Sequence, residues 1–248
     1  MELTEIQEKI ETFKKAVEKS KSIVFIGGAG VSTESGIPDF RSSGGVYSNK
    51  KYGLSPEEMI SHDYFMYSPE GFYDFYKKEM LFPDAKPNDA HKGLAHLENE
   101  GKLKAVVTQN IDGLHQAAGS KAVYELHGSV HRNYCMKCHK FFPLSYIMKS
   151  DGVPYCDKCG GLIKPDVVLY GESLDQDILM GSCDAISKAD MLIIGGTSLV
   201  VYPAASLYRY FSGDTLVVIN KSETQADRLA NIVINDSIGK VFRSLTKK

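Results

Sequence analysis

Leu3, Ile6, Ile10, Phe13 and Val17 recur at helical spacing among charged residues, which predicts an amphipathic helix at the N-terminus. Residues 22–26 follow as a short, β-branched apolar run that ends in Gly27 and Gly28. A strand that feeds glycines and then a helix opens an α/β nucleotide-binding unit. Further apolar runs of strand length occupy 104–108, 123–126, 165–170, 191–195 and 215–220, with helical patterns between several of them. This alternation predicts an α/β fold: a Rossmann-like parallel sheet with helices on both faces.

Two stretches break the rhythm. Residues 45–86 are rich in Tyr, Phe and Met and predict short helices; residues 134–163 carry paired cysteines and few long apolar runs. Both are expected as insertions that together form a smaller domain, with a helical part and a zinc module. Residues 1–44, 87–133 and 164–248 then make up a discontinuous nucleotide-binding domain. The longest apolar stretch, 191–207, is broken by Gly195, Gly196, Thr197, Ser198 and Pro203, so it predicts strand, loop and helix rather than a membrane span.

Composition narrows the partners. A length of 248 residues suits one large domain with or without a small one. A net charge of −2 leaves no electrostatic footprint for nucleic acid, and neither nucleic acid nor membrane is an expected partner. The first residues lack the apolar core of a signal peptide, so the cytoplasm is the expected compartment. There, paired cysteines suggest a metal before a disulfide.

Cys135-x-x-Cys138 and Cys156-x-x-Cys159 are separated by 17 residues, and the second pair runs into Gly160-Gly161. A two-residue gap lets both thiolates of a knuckle face one Zn²⁺, and four soft ligands complete its tetrahedron. A closed four-thiolate shell has no open position, so one structural zinc is expected. Redox pairs or plain packing are the alternative readings. Cys183, in a helical stretch, is expected to be a buried small residue.

Gly28-Ala29-Gly30-Val31-Ser32 follows the first strand, where backbone can approach a pyrophosphate. Thr33 takes the third glycine position of the dehydrogenase fingerprint, and no acidic residue stands about twenty positions on. Hydride transfer is therefore disfavoured. His127 alone is one of seven histidines and more often structural than catalytic, and Asn110 and Asp112 alone could cap a helix starting near Asp112.

Taken in order, the blocks are more specific. Gly36-Ile37-Pro38-Asp39-Phe40-Arg41 is followed by Thr108-Gln109-Asn110-Ile111-Asp112-Gly113-Leu114-His115 and by Glu125-Leu126-His127-Gly128. The cysteine knuckles, Tyr170-Gly171-Glu172, Gly196-Thr197-Ser198-Leu199 and Asn220 come next. Across roughly residues 22–240 the chain resembles the sirtuins, of bacterial or archaeal type. The resemblance implies an NAD-dependent protein-lysine deacetylase that converts acetyl-lysine protein and NAD to lysine, nicotinamide and 2′-O-acetyl-ADP-ribose. NAD is then consumed as a co-substrate.

It also implies roles. His127 is the base and Asn110 orients the ribose and a water. Gln109, Ile111 and Asp112 line the nicotinamide pocket. Phe40 covers the glycosidic bond, and Arg41 holds the loop and phosphates. Ala29, Gly30, Ser32, Thr33, Gly196, Thr197 and Ser198 contact the cofactor. Asn220 takes the adenosine ribose, Lys221 also binds the cofactor, and Ser237 and Ile238 lie on the adenine side. An acetylated peptide or protein adds as a strand between Val168, Tyr170, Gly171, Glu172 and Leu199, Val200, Val201, Tyr202. His115 is a structural residue in this scheme. Relatives that remove acidic acyl groups carry a Tyr and an Arg where an ungapped reading places Asp74 and Lys77, so acetyl is favoured. A monomer is expected. Protein ADP-ribosylation, removal of other acyl groups and a non-catalytic NAD- and zinc-binding module are the rivals. A zinc amidohydrolase is disfavoured because all four expected ligands are thiolates.

Overall fold

The computed structural model describes residues 2–40, 45 and 53–246. Helix α1 (Glu2–Lys19) buries Ile10, Phe13 and Val17, with Ile6 partly buried beside them. The Leu3 side chain lies outside those described. Strand β1 (Ile23–Gly27) leads through two 3₁₀ turns, Ala29–Val31 and Thr33–Ser35, towards short helices α2 (Pro56–Met59), α3 (His62–Tyr67) and α4 (Pro69–Phe75). A π turn, Tyr76–Met80, precedes α5 (Asp89–Asn99). Then come β2 (Leu103–Thr108), α6 (Leu114–Ala117), β3 (Val123–Glu125), β4 (Gly128–Cys135), β5 (Phe141–Pro143), α7 (Leu144–Lys149) and β6 (Ile163–Val167). The chain closes with α8 (Gln176–Ser187), β7 (Met191–Gly195), β8 (Thr215–Ile219), β9 (Ile232–Ile234) and α9 (Ile238–Thr246).

Six strands form one parallel sheet in the order β3-β2-β1-β7-β8-β9. Side chains alternate between its faces. Ile23 and Phe25 of β1, Met191 and Ile193 of β7, and Val217 and Ile219 of β8 join the core under α1, α5 and α9. Val24 and Ile26, Leu192 and Ile194, Leu216 and Val218 join the core on the α8 face. Both faces are covered, which is why these strands appear as unbroken apolar runs. β1 has β2 on one side and β7 on the other, so the crevice past their C-terminal ends is a switch point where ligands bind open α/β sheets.

The run 165–170, expected in the parallel sheet, belongs elsewhere. Its residues 165–167 end β6, which pairs antiparallel with β4 in a three-stranded sheet, β5-β4-β6, and 168–170 run on past the strand. Its burial alternates: Ile163, Pro165 and Val167 are inside, Lys164 and Asp166 half-exposed. That period of two marks a sheet buried on one face. The expected borders 133/134 and 163/164 fall inside β4 and β6. The helical insertion and the cysteine module share one core, with Phe65, Phe72, Tyr73 and Tyr76 packed among Phe142, Ile147 and Ile163. Tyr73 Oη donates to the Ile163 carbonyl at 2.5 Å. Among the described residues no helix is long and apolar enough to cross a membrane.

His91 of α5 and His115 of α6 pack ring against ring, centroids 4.8 Å apart, and both are fully buried. Among the described residues, His91 Nε2 and both nitrogens of His115 have no hydrogen-bond partner. Burial lowers His91 to about 4. Burial, with the His91 charge adding to it, lowers His115 to about 3. Unfolded, both titrate near 6.5, so below that pH the unfolded chain binds protons that the native one refuses. Stability is therefore full above pH ~6.5 and falls as the pH drops towards the folded values. From pH 7 to pH 5 each histidine should cost about 2 kcal/mol. Urea unfolding at the two pH values checks this; equal midpoints would count against it.

Candidate active site

Two glycines let the loops after β1 and β7 touch. Gly30 N donates to the Gly196 carbonyl at 2.8 Å. A Cβ on Gly30 would lie 2.8 Å from Gly196 Cα, and Gly196 itself holds φ +58°. This contact floors a cavity of about 1040 Å³ over the C-terminal ends of the parallel strands.

The expected residues largely meet there. Ala29, Gly30, Ser32, Thr33 and Phe40 line it from the first loop, and residues 109–112 from the loop after β2. His127, Gly196, Thr197 and Ser198 join them, as do Asn220, Lys221, Ser237 and Ile238. Val168, Tyr170, Gly171, Glu172, Val201 and Tyr202 line the same cavity. Leu199 does not: it is 2% exposed and belongs to the core on the α8 face. Val200 is 51% exposed and also stands outside the lining. Arg41 lies outside the described residues.

Segment 199–202 is a bend and turn rather than a strand, closed by Ala205 N donating to the Val201 carbonyl. On the other side, Tyr170 N donates to the Ile60 carbonyl and Tyr170 O accepts from His62 N. Glu172 is occupied by its own fold. Its carboxylate accepts from His62 Nδ1, Lys164 Nζ and Leu169 N at 2.9 to 3.0 Å, and these bonds together with Lys164's charge hold it below the usual range despite burial.

His127 sits between Leu126 and Gly128, just past β3. Its Nδ1 lies 3.0 Å from the Gln109 carbonyl, which can only accept, so Nδ1 carries the proton and Nε2 keeps its lone pair. Burial lowers the pKa, opposed by that hydrogen bond. The ring is therefore neutral near pH 7. Gly128, at φ +75°, packs on the Asp166 carbonyl where a Cβ would collide.

Ser32, Asn110 and Asp112 form a buried network. Ser32 Oγ donates to Asp112 Oδ2 at 2.6 Å and accepts from Asn110 Nδ2 at 3.0 Å. The other Asp112 oxygen accepts from Leu114 N, the first residue of α6, at 2.9 Å, while Gly113 holds the N-cap position. One carboxylate thus both satisfies an amide at the start of α6 and lines the pocket. Burial raises Asp112, its bonds from Ser32 and Leu114 oppose this, and Glu125 adds to the rise. Gln109 Nε2 donates to Thr197 Oγ1 at 3.1 Å, joining the β2 and β7 loops.

Some lining residues carry no motif. Val130 and His131 come from β4, and Ile60, Met80 and Phe82 from the helical insertion. Asp74 and Lys77 are not among the lining. Asp74 pairs with Lys78, and Lys77 Nζ donates to the carbonyls of Ser150 and Gly152 at 2.7 Å. The charge argument against acidic acyl groups therefore has no footing at these positions.

Apart from the cavity, the four knuckle sulfurs converge within 4.8 Å of one another. Cys135 Sγ lies 3.4 Å from Cys159 Sγ, and Cys138 Sγ 3.7 Å from Cys156 Sγ. Zn–S bonds of about 2.3 Å require tetrahedron edges of about 3.8 Å, so the four thiols fit one zinc. Cys183 stands apart on α8, half-buried.

The model of the Sir2 family matches residues 28–203, well over half of the chain. The chain belongs to the Sir2 family. A Clostridium perfringens protein described as an NAD-dependent protein deacetylase is 61% identical over 239 residues, covering 96% of this chain and 98% of that one. A solved structure of Sir2 with a p53 peptide and NAD⁺ superposes at TM-score 0.83 and 42% identity, covering 95% of this chain and 96% of that one. Another, Sir2 bound to acetylated peptide, gives TM-score 0.83 at 40% identity over 95% of this chain and 96% of that one. The six-stranded parallel sheet and the small sheet with its four-cysteine cluster are thus the Sir2 arrangement.

Proposed function

We infer that this Sir2-family chain is an NAD-dependent protein deacetylase that converts acetyl-lysine protein and NAD to lysine, nicotinamide and 2′-O-acetyl-ADP-ribose. The observation that carries this reading is His127: a neutral imidazole with its Nδ1 proton committed to Gln109, lining a cavity shared with the glycine loop and Tyr170. The close deacetylase relative supports it.

NAD supplies the electrophilic ribose carbon and is consumed. His127 Nε2 takes a ribose hydroxyl proton. Asp112 accepts from the nicotinamide carboxamide, held in place by Ser32 and Leu114 N. Asn110 orients the ribose and a water, Gln109 and Thr197 hold ribose hydroxyls, and Phe40 and Ile111 keep solvent off the reacting carbon. The loops at 29–33 and 196–198 hold the phosphates, with Asn220, Lys221, Ser237 and Ile238 on the adenosine side. Val168 to Glu172 and Val201 to Tyr202 receive the acetylated peptide. Cys135, Cys138, Cys156 and Cys159 hold one zinc, whose closed thiolate shell makes it structural. We divide the chain into a nucleotide-binding domain and a small domain built on the shared core of the helical insertion and cysteine module. The enzyme works as a monomer in the cytoplasm, where cysteines stay reduced and available to the metal.

An acetyl-lysine peptide assay with and without NAD tests the reading. Turnover is expected only with NAD, one nicotinamide released per lysine freed. Deacetylation without NAD would overturn it, and a peptide that gains ADP-ribose instead of losing acetyl would replace it with transferase activity.

A further inference from the structure

β4 carries a bulge beside the site. Ser129 pairs with Asp166 of β6, and Asn133 with the adjacent Pro165, so residues 130–132 are extra on β4. Bulges bend a strand and re-aim its side chains. Here Val130 N donates to the Ile111 carbonyl at 3.0 Å, and His131 Nε2 to the Asp112 carbonyl at 3.0 Å. The His131 ring packs on Gly113, where a Cβ would come within 2.6 Å of it. Arg132 makes two further bonds: Nη1 to Glu125 at 2.6 Å and Nε to Asp166 at 2.7 Å.

The residues bearing both carboxylates lie close to His127 along the backbone. Glu125, its side chain 8% exposed, is the last residue of β3 and stands two positions before His127. Asp166 precedes Val167, which pairs with Gly128, and Val168 N donates to the His127 carbonyl at 3.0 Å. The parallel sheet and the small sheet therefore meet at His127, and one guanidinium spans the joint. A planar fork can hold two carboxylates at once in a way an ammonium cannot.

We propose that Arg132 is a positioning residue for His127, fixing the end of β3 to β6 across this joint and neutralising Glu125 near Asp112. The charged and titratable groups in play are few. Arg132 faces Glu125 and Asp166. Asp112 faces Glu125 and His131, with Ser32 Oγ and Leu114 N bonded to it. Without Arg132 the Glu125 charge acts on Asp112 uncompensated, so Asp112 takes up its proton at a higher pH. The ionised acceptor for the carboxamide is then lost earlier as the pH falls.

The inference rests on the deacetylase reading, which the wild-type arm of its test checks separately. The full chain is assayed with acetyl-lysine peptide and NAD from about pH 4.5 to 8.5, a range that reaches well below the ordinary histidine value. Arg132→Gln should lower kcat about tenfold or more, as displaced catalytic groups do, with a smaller change in the KM for NAD. Its acid limb should move up by about one pH unit. Adding Glu125→Gln to Arg132→Gln should return the limb to its wild-type place, which recovery from a merely structural lesion would not do. A wild-type kcat and limb in Arg132→Gln, or a limb still displaced in the double variant, overturns the proposal. If Arg132→Gln does not fold, Arg132→Lys decides: lowered kcat with the limb in place is expected, and wild-type kcat overturns it. A wild type inactive with NAD fails the deacetylase reading itself.

Discussion

His127→Ala is expected to lower deacetylation by about 10²–10⁴-fold in a protein that stays folded. The range is what a positioned general base contributes, and His127 has the geometry of one. The carbonyl of Gln109 fixes the tautomer, and burial keeps the ring neutral where a protonated ring could accept nothing. The structural cost of the substitution is small by comparison. It leaves one carbonyl without its partner, worth about 1 kcal/mol, and the backbone bond from Val168 N to residue 127 remains. Activity and stability should therefore separate: a melting temperature near that of the wild type, a collapsed kcat, and NAD affinity changed far less. In the wild type, activity should fall on the acid side as His127, lowered from its ordinary 6.5, and Asp112, raised from its ordinary carboxylate value, take up protons. Steady-state kinetics with matched thermal melts read all of this. A His127→Ala variant that keeps even a tenth of its kcat would move the base to another residue.

What could be seen in the sequence followed from local chemistry. The glycine loop, the ordered polar blocks and the cysteine knuckles are short-range patterns; the first two come together at the cavity and the knuckles with one another. Strands β1, β7 and β8 were visible because burial on both faces leaves continuous apolar runs. β6 was visible as a strand but was expected in the wrong sheet, because its apolar residues suited either partner. Its alternation, Ile163-Lys164-Pro165-Asp166-Val167, was the signal that discriminates. The β4 bulge left no such trace. Nothing local distinguishes His131 and Arg132 from surface residues, since the bulge aims them at Asp112 and Asp166, 19 and 34 residues away in sequence, and at Glu125 on the preceding strand. Asp74 and Lys77 failed for a related reason. Their side-chain directions depend on how short helices and a π turn succeed one another, and an ungapped count ignores that. Leu199 and Val200 were expected to flank the peptide; the turn after β7 puts one in the core and the other in solvent.

Removal of the zinc, by chelation or by Cys156→Ser, is expected to unfold the small sheet and take activity with it. The metal ties together the two knuckles at the far end of the core that the module shares with the helical insertion. Cys135 and Cys156 are themselves core residues beside Phe142, Ile147 and Ile163. Structural zinc contributes apparent binding energies of about 10–16 kcal/mol in small modules, as much as the whole stability of a typical domain. A ligand set with one thiolate missing forfeits most of that. The loss does not stay local. β4, bulged at 130–132, links Cys135 to Gly128, next to His127, and β6 runs from Ile163 to Val167, just before the Val168 amide that holds the His127 carbonyl. The cores on either face of the parallel sheet share no residue with the module, so β1, β7 and β8 should persist. Hydrogen exchange should then show protection lost across 128–167 and retained in those three strands, in step with measured zinc content and with kcat. Because the metal acts through β4 and β6, inactivation should track the loss of protection at every intermediate zinc loading. A zinc-free protein still protected across 128–167 and yet inactive would assign the metal a part in the chemistry that its closed thiolate shell argues against.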